Sequence, residues 1–165
     1  MLVPWETQHD FRPVKQSRKN RCLAALMAMV IGEDEAYVLD WFADGGVFPP
    51  FHDEDAYIFF AHRGIYLTMY WQMPAPSKGL SSSTTLPASD MPLKDRAFYI
   101  VVTSKKTPGA VHAILWDGNR VYDPVDPEII DDLESYEVRM LYTIMMTENR
   151  LQELRMRYKN FRKEV

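Results

Sequence analysis

Apolar residues are distributed along this chain in two regimes, and the change between them marks out the architecture. From Cys22 to Ile31 every position is apolar (Cys-Leu-Ala-Ala-Leu-Met-Ala-Met-Val-Ile). A helix there has no polar face to show to water, so it is expected to be central and buried. Asn20 is the expected N-cap, because its side-chain oxygen can accept from first-turn N–H groups, and Gly32 is the expected stop. Glu33, Asp34 and Glu35 then place negative charge where a second helix begins, with Ala36, Val38, Leu39 and Phe42 as its apolar side. Gly45 to Phe51 reads as a loop, and residues 53–62 as a short third helix opened by acidic residues and closed before Gly64.

Past Gly64 the period changes. Ile65-Tyr-Leu-Thr-Met-Tyr-Trp71 is rich in β-branched and aromatic residues and is expected to be the first strand. Further strand-like stretches follow at Ala97–Val102, Ala110–Trp116, Arg120–Tyr122 and Val138–Met145. Residues 73–95, with four prolines and five serines, read as one long loop, and residues 1–19 as an extended arm. From Glu148 onward Leu151, Leu154, Tyr158 and Phe161 recur at helical spacing among basic residues, which predicts a C-terminal helix over 148–165. Helices first and an antiparallel sheet second define an α+β fold, and 165 residues suit a single domain over 1–165.

Composition narrows the class further. Nineteen Lys+Arg against 23 Asp+Glu leave a formal charge of −4, which argues against a surface built as a whole to grip nucleic acid. The single cysteine, Cys22, excludes an intramolecular disulfide and a multi-cysteine zinc site. The N-terminal residues lack the charged start and apolar run of a secretory signal, and the longest apolar run is too short to span a bilayer. The expectation is a small, soluble domain of the intracellular kind, without membrane contact.

Three short segments carry candidate chemistry. In Gln16-Ser-Arg-Lys-Asn-Arg-Cys22 the thiol sits at the positive end of the buried helix's dipole, which favours the thiolate; Arg18, Lys19 and Arg21 push the same way. Gln16 is placed to aim its amide at the oxygen that turns negative when sulfur attacks a carbonyl. The second segment is the apolar run around His112, and the third is the pair Asp117-Gly118, a preferred two-residue hairpin turn. With that turn Trp116 faces Asn119, and His112 lies directly opposite Asp123, a carboxylate able to fix its tautomer and support its positive form. Asp117 and Asp126 are the alternative carboxylates. A free cysteine is otherwise among the most commonly buried residues and a histidine in an apolar run usually a satisfied core residue, so each piece is weak without the others.

Taken in order, a glutamine six residues before a helix-starting cysteine, a strand bearing histidine and a strand ending Tyr-Asp-Pro resemble the papain-like cysteine peptidases. The nearest resemblance is to the bacteriocin-leader-processing branch and its stand-alone bacterial and phage relatives. It rests on Gln16–Gly32 and on Val111-His-Ala-Ile-Leu-Trp-Asp-Gly-Asn-Arg-Val-Tyr-Asp-Pro124, about a fifth of the chain. The resemblance implies a papain-like fold, Cys22 as nucleophile, Gln16 as oxyanion donor, His112 as general base and then acid, and Asp123 as its orienting residue. It implies hydrolysis of a peptide or amide bond through a thioester, a protein or peptide substrate, no cofactor, and a cytoplasmic setting (the host's, where a phage encodes the chain). Members of that branch commonly carry an acidic residue just before the cysteine and glycine just after it; here these places hold Arg21 and Leu23.

Two other readings stand beside the peptidase. A glutamine deamidase uses the same parts, and a non-catalytic module on the same fold would bury the thiol and dock a protein partner on the C-terminal helix. That helix carries Arg150, Arg155, Arg157, Lys159, Arg162 and Lys163; a solvated face around a packing stripe explains them without nucleic acid. His52 and His62 with Asp53, Glu54 and Asp55 are not at a metal-ligand spacing on one helix, and no metal is expected. The loops at 44–52 and 73–95 are the natural substrate-selecting walls.

Overall fold

The computed structural model describes residues 1–4, 11–72, 86–87, 96–104, 111–128 and 136–164. Four helices, α1 (Cys22–Ile31), α2 (Glu35–Asp44), α3 (Asp53–Ala61) and α4 (Glu148–Glu164), accompany strands β1 (Leu2–Pro4), β2 (Ile65–Gln72), β3 (Leu86–Pro87), β4 (Phe98–Ser104), β5 (Val111–Trp116), β6 (Val121–Tyr122) and β7 (Tyr136–Thr147). All strand pairs are antiparallel, and the fold is α+β. β7 is the hub: it pairs with β1, β2, β3 and β4, and the sheet continues through β5 to β6.

The apolar run folds as its pattern demands. Every residue of α1 after Cys22 is buried. Its ends are made differently. At the C-terminus Gly32 takes φ 71°, and its N–H and that of Glu33 both return to the Ala28 carbonyl. At the N-terminus the expected cap fails: Arg21, not Asn20, precedes the helix, and no side chain caps it. A turn from Arg18 O to Arg21 N–H (3.1 Å) delays helical bonding by one residue, and Ala25 N–H to Arg21 O (3.1 Å) then starts the ladder. α2 and α3 begin as their acidic residues predict. Asp34 accepts from Tyr37 N–H at 2.9 Å, and Asp55 accepts from His52 N–H at 2.8 Å.

Three expectations need correction. The N-terminal arm is not only extended chain: Leu2–Pro4 pairs with Met145–Thr147, so Ile65–Gln72 is the second strand, not the first. Within the segment read as one long loop, Leu86 and Pro87 pair with Val138 and Glu137; residues 73–85 and 88–95 lie outside the described residues. The last strand runs over Tyr136–Thr147, longer than Val138–Met145, because its ends are held by these short partners that carry too little sequence to announce themselves.

The pleat of β4 divides the core in two. Tyr99 and Val101 join a cluster built from α1–α4 and the sheet, whereas Phe98 and Ile100 join a second cluster with Ile114, Trp116, Val121 and Tyr136. Aromatic rings fasten the loop before α3 to the helices. Phe51 packs on Phe42 at 4.3 Å between centroids, and Phe42 in turn stacks on Phe59 at 5.7 Å. α4 closes the far end of α1 through Leu151, Leu154 and Tyr158. The Tyr158 hydroxyl donates to the Met29 and Val30 carbonyls at 2.7 Å, and Arg157 donates to the Ile31 carbonyl at 3.1 Å and pairs with Glu33 at 2.8 Å. These satisfy carbonyls that a helix end otherwise leaves orphaned. Arg157 and Arg150, the latter paired with Glu153 at 3.0 Å, thus have structural employment. Among the described residues no helix is long and apolar enough to cross a membrane.

A Cβ at Gly32 would lie 3.2 Å from Arg157 Cδ and 3.3 Å from Tyr158 Cε1, whereas one at Gly46 (φ 74°) would meet nothing within 4 Å. Gly46→Ala is therefore expected to cost only backbone strain, about 1–2 kcal/mol. Gly32→Ala adds crowding and is expected to cost about 1–2 kcal/mol more, as read from urea unfolding of the two variants.

Candidate functional site

Cys22 is the first residue of α1, and it is half-buried while the rest of the helix is sealed in the core. The segment that delivers it is anchored by a buried carboxylate. Glu35, in the first turn of α2, accepts from Ser17 N–H at 2.9 Å and from the Ser17 hydroxyl. Arg21 closes the cluster, 2.9 Å from Ser17 Oγ and 3.5 Å from Glu35 Oε1. Arg21 is thus drawn onto Glu35, and Arg18 and Lys19 are exposed. No side chain caps the helix, so no side-chain acceptor occupies the first-turn N–H groups beside the sulfur.

His112 is the second residue of β5, at the margin of the sheet. Its Nε2 lies 2.6 Å from Asp123 Oδ1, and both side chains are buried. The pair forms, but not by the expected register. Trp116 pairs with Val121 and Leu115 with Tyr122, so the turn is Asp117–Arg120 and not the two-residue Asp117-Gly118. Asp117 explains the longer turn. Its fully buried carboxylate accepts from Asn119 N–H (2.8 Å), Arg120 N–H (2.7 Å) and the Tyr122 hydroxyl (2.9 Å). A slip of two residues keeps side chains on the same face, so Asp123 becomes a diagonal neighbour of His112 instead of a direct one. Asp117 is committed to the turn, and Asp126 lies beyond, its N–H on the Asp123 carbonyl at 3.0 Å. Asp123 is the carboxylate that reaches the imidazole.

Asp123 is itself held by two further donors, Val125 N–H on Oδ1 (2.9 Å) and the Tyr136 hydroxyl on Oδ2 (2.7 Å). Burial works against its charge, yet the bond and charge of His112 with these donors bring its pKa below the usual 3.8. Burial alone would likewise depress His112. The hydrogen bond to Asp123, the neighbouring Cys22 and the charge of Asp123 outweigh it, and its pKa rises from 6.5 to about 9. Since Nε2 serves Asp123, Nδ1 is the ring nitrogen left for sulfur. The rise corresponds to about 3 kcal/mol in favour of the imidazolium.

A cavity of about 300 Å³ opens on Cys22 and His112, walled by Leu23, Phe51, Tyr99, Val101 and Met140, with Asp53 on its wall. The wall from the 44–52 loop is where the sequence suggests it: Pro50 and Phe51 both line the cavity. Gln16 is fixed by its backbone. Its N–H donates to the Pro124 carbonyl at 2.8 Å, which ties the arm to the residue after Asp123. Its Oε1 is buried without a hydrogen-bond partner among the described residues, and Gln16 does not line the cavity. The histidines considered for a metal sit at opposite ends of α3, His52 before it and His62 after it.

Three residues of the site escape the sequence pattern. Tyr136 supports Asp123 from the start of β7, in a stretch with no strand signal before Val138. Tyr99 donates to Asp53 Oδ1 at 2.5 Å, and Tyr142 reaches Oδ2 at 3.4 Å, the two phenols stacked 5.2 Å apart. Alternation along β4 puts Tyr99 on the helix-facing side, but nothing local identifies Asp53 as its partner. Comparison of the chain with family models, with curated proteins and with solved structures returns no match.

The linkage has a definite sign. His112 has a raised pKa in the folded protein, so its contribution is complete below pH 6.5 and is lost as pH rises through about 9. Asp123 contributes above 3.8 and loses its contribution as pH falls through its depressed value. The wild type is expected to lose up to about 3 kcal/mol of stability across the alkaline window, and Asp123→Asn about 1 kcal/mol or less. Urea midpoints at intervals through this range decide it. Tyr136→Phe, which leaves one buried carboxylate oxygen with a donor missing, is expected to cost about 1–3 kcal/mol in the same assay.

Proposed function

We propose that this chain is a papain-like cysteine peptidase, hydrolysing a peptide or amide bond with Cys22, His112 and Asp123. The observation that carries the proposal is one buried imidazole bonded to a buried carboxylate and lining the same cavity as a half-exposed thiol at the start of a helix. A cysteine kept only for packing needs neither the open cavity nor a charged histidine. The half-exposed thiol likewise favours catalysis over a non-catalytic docking module.

Four steps follow from the arrangement. Sulfur, its proton held by His112, attacks the substrate carbonyl carbon and forms a C–S bond. The carbonyl oxygen takes the negative charge and meets the Cys22 N–H, with the Gln16 amide as the second donor that family resemblance implies. The intermediate collapses, the C–N bond breaks, and His112 gives its proton to the leaving amine. Water, deprotonated by the now neutral His112, opens the thioester to release the acid and restore the thiol–imidazole pair. Asp123 keeps the ring oriented throughout. No cofactor enters, and the substrate is a peptide or protein segment able to reach the cavity.

Iodoacetamide tests the thiol directly. At about pH 6 the wild type is expected to be alkylated at Cys22 about 100-fold faster than His112→Ala, because the imidazolium that stabilises the thiolate is gone in the variant. Equal rates in the two folded proteins would remove the basis for the proposal.

A further inference from the structure

The cavity beside the thiol carries a charge that the hydrolytic steps do not use. Among the described residues that line it Asp53 is the only carboxylate, no lysine or arginine is present, and the basic groups are His52 and the His112 that Asp123 already pairs. The basic residues that flank Cys22 in sequence do not reach this space: Arg21 is held on Glu35 by 3.5 Å, while Arg18 and Lys19 are exposed and do not line it. Asp53 is half-buried, and its partners among the described residues are neutral phenols, Tyr99 at 2.5 Å and Tyr142 at 3.4 Å. Phenols that donate fix the carboxylate's orientation without cancelling its charge. Each carboxylate oxygen accepts more than one hydrogen bond, so capacity remains for a further donor.

The rest of the wall is apolar. Phe51, Val101 and Met140 offer a surface for a hydrocarbon stem, and the volume of about 300 Å³ accommodates one long side chain. An apolar channel with one oriented carboxylate is complementary to a stem with a cationic head. Glutamate or aspartate in the same space would set like charges together, and a plain aliphatic chain would leave Asp53 without its partner.

We propose that Asp53 makes this cavity a subsite for a basic side chain, so that the substrate is a peptide with lysine or arginine next to the bond attacked by Cys22. Its stem lies along Phe51, Val101 and Met140, and its cation meets the carboxylate that Tyr99 and Tyr142 hold in place. Asp53 is a specificity residue, not a catalytic one, because it touches the side chain and not the reacting atoms. The inference rests on the peptidase reading above and adds the substrate class.

The test uses acetyl-dipeptidyl chloromethyl ketones carrying lysine, norleucine or glutamate at the first or second residue from the ketone, with inactivation followed by mass at Cys22. In the wild type, at whichever of the two positions enters the cavity, the lysyl probe is expected to react about tenfold faster than the norleucyl one, with the glutamyl probe slowest. Asp53→Asn should remove the lysyl advantage and leave the norleucyl rate in place; Glu54→Gln, exposed in the same helical turn, should change neither. If Asp53→Asn does not fold, the salt dependence of the wild-type lysyl-to-norleucyl ratio replaces it, and a cation–carboxylate contact requires that ratio to fall several-fold on going from low to about 1 M salt. Equal lysyl and norleucyl rates, both far above that of free cysteine, would overturn the subsite and leave the peptidase standing. Rates no faster than free cysteine with every probe would overturn both.

Discussion

The contact on which the site depends is the 2.6 Å hydrogen bond between His112 Nε2 and Asp123 Oδ1, made where neither side chain has much water. An isolated imidazolium in that place would give up its proton, since burial penalises charge. An isolated carboxylate there would hold one. Together, with Val125 N–H, the Tyr136 hydroxyl and Cys22 completing the set, they reverse both tendencies, and the histidine keeps its proton to about pH 9. A buried ion pair of this kind is a poor way to gain stability compared with apolar packing. What it supplies is a cation fixed beside a thiol.

The fold contributes by converging three separate constructions on that point. α1 is sealed in the core along its length and capped behind by Gly32, Tyr158 and Arg157, so its first residue cannot wander. Glu35 pins Ser17 and Arg21, which fixes the approach of the chain to Cys22. On the sheet side, Asp117 shapes the turn between β5 and β6, and the Gln16 N–H bond to the Pro124 carbonyl joins the arm to the residue after Asp123. The packing of Phe51 on Phe42, which in turn stacks on Phe59, then brings the last wall of the cavity into place.

Much of this was legible from residue order, and the failures are instructive. The all-apolar Cys22–Ile31 run could only be a central helix, and the helix and strand positions follow from local periodicity. Cys22, His112 and Asp123 were each visible as chemistry in a suitable local context, and the structure brings them together. The hairpin register was wrong by two residues, because Asp117 spends its carboxylate on two backbone N–H groups and a phenol instead of forming the shortest turn; the pairing survived since an even slip preserves the face. Leu2–Pro4 and Leu86–Pro87 were missed as strands because segments that short exist only through β7. Asn20 was misjudged as a cap because the Arg18–Arg21 turn takes precedence. Tyr136 and the Asp53–Tyr99 contact were illegible for a common reason: each joins residues far apart in the chain, and no local pattern encodes the meeting.

The proton on His112 is the most direct test of this account. Imidazole nitrogen and proton shifts of His112, followed by NMR in isotopically labelled wild-type protein from mildly acidic to strongly alkaline pH, report it without any substrate. The account predicts that both ring nitrogens stay protonated through neutral pH and that the ring titrates near 9. An ordinary titration near 6.5, with a neutral ring by about pH 8, would contradict it, and with it the claim that a buried ion pair is what readies the thiol.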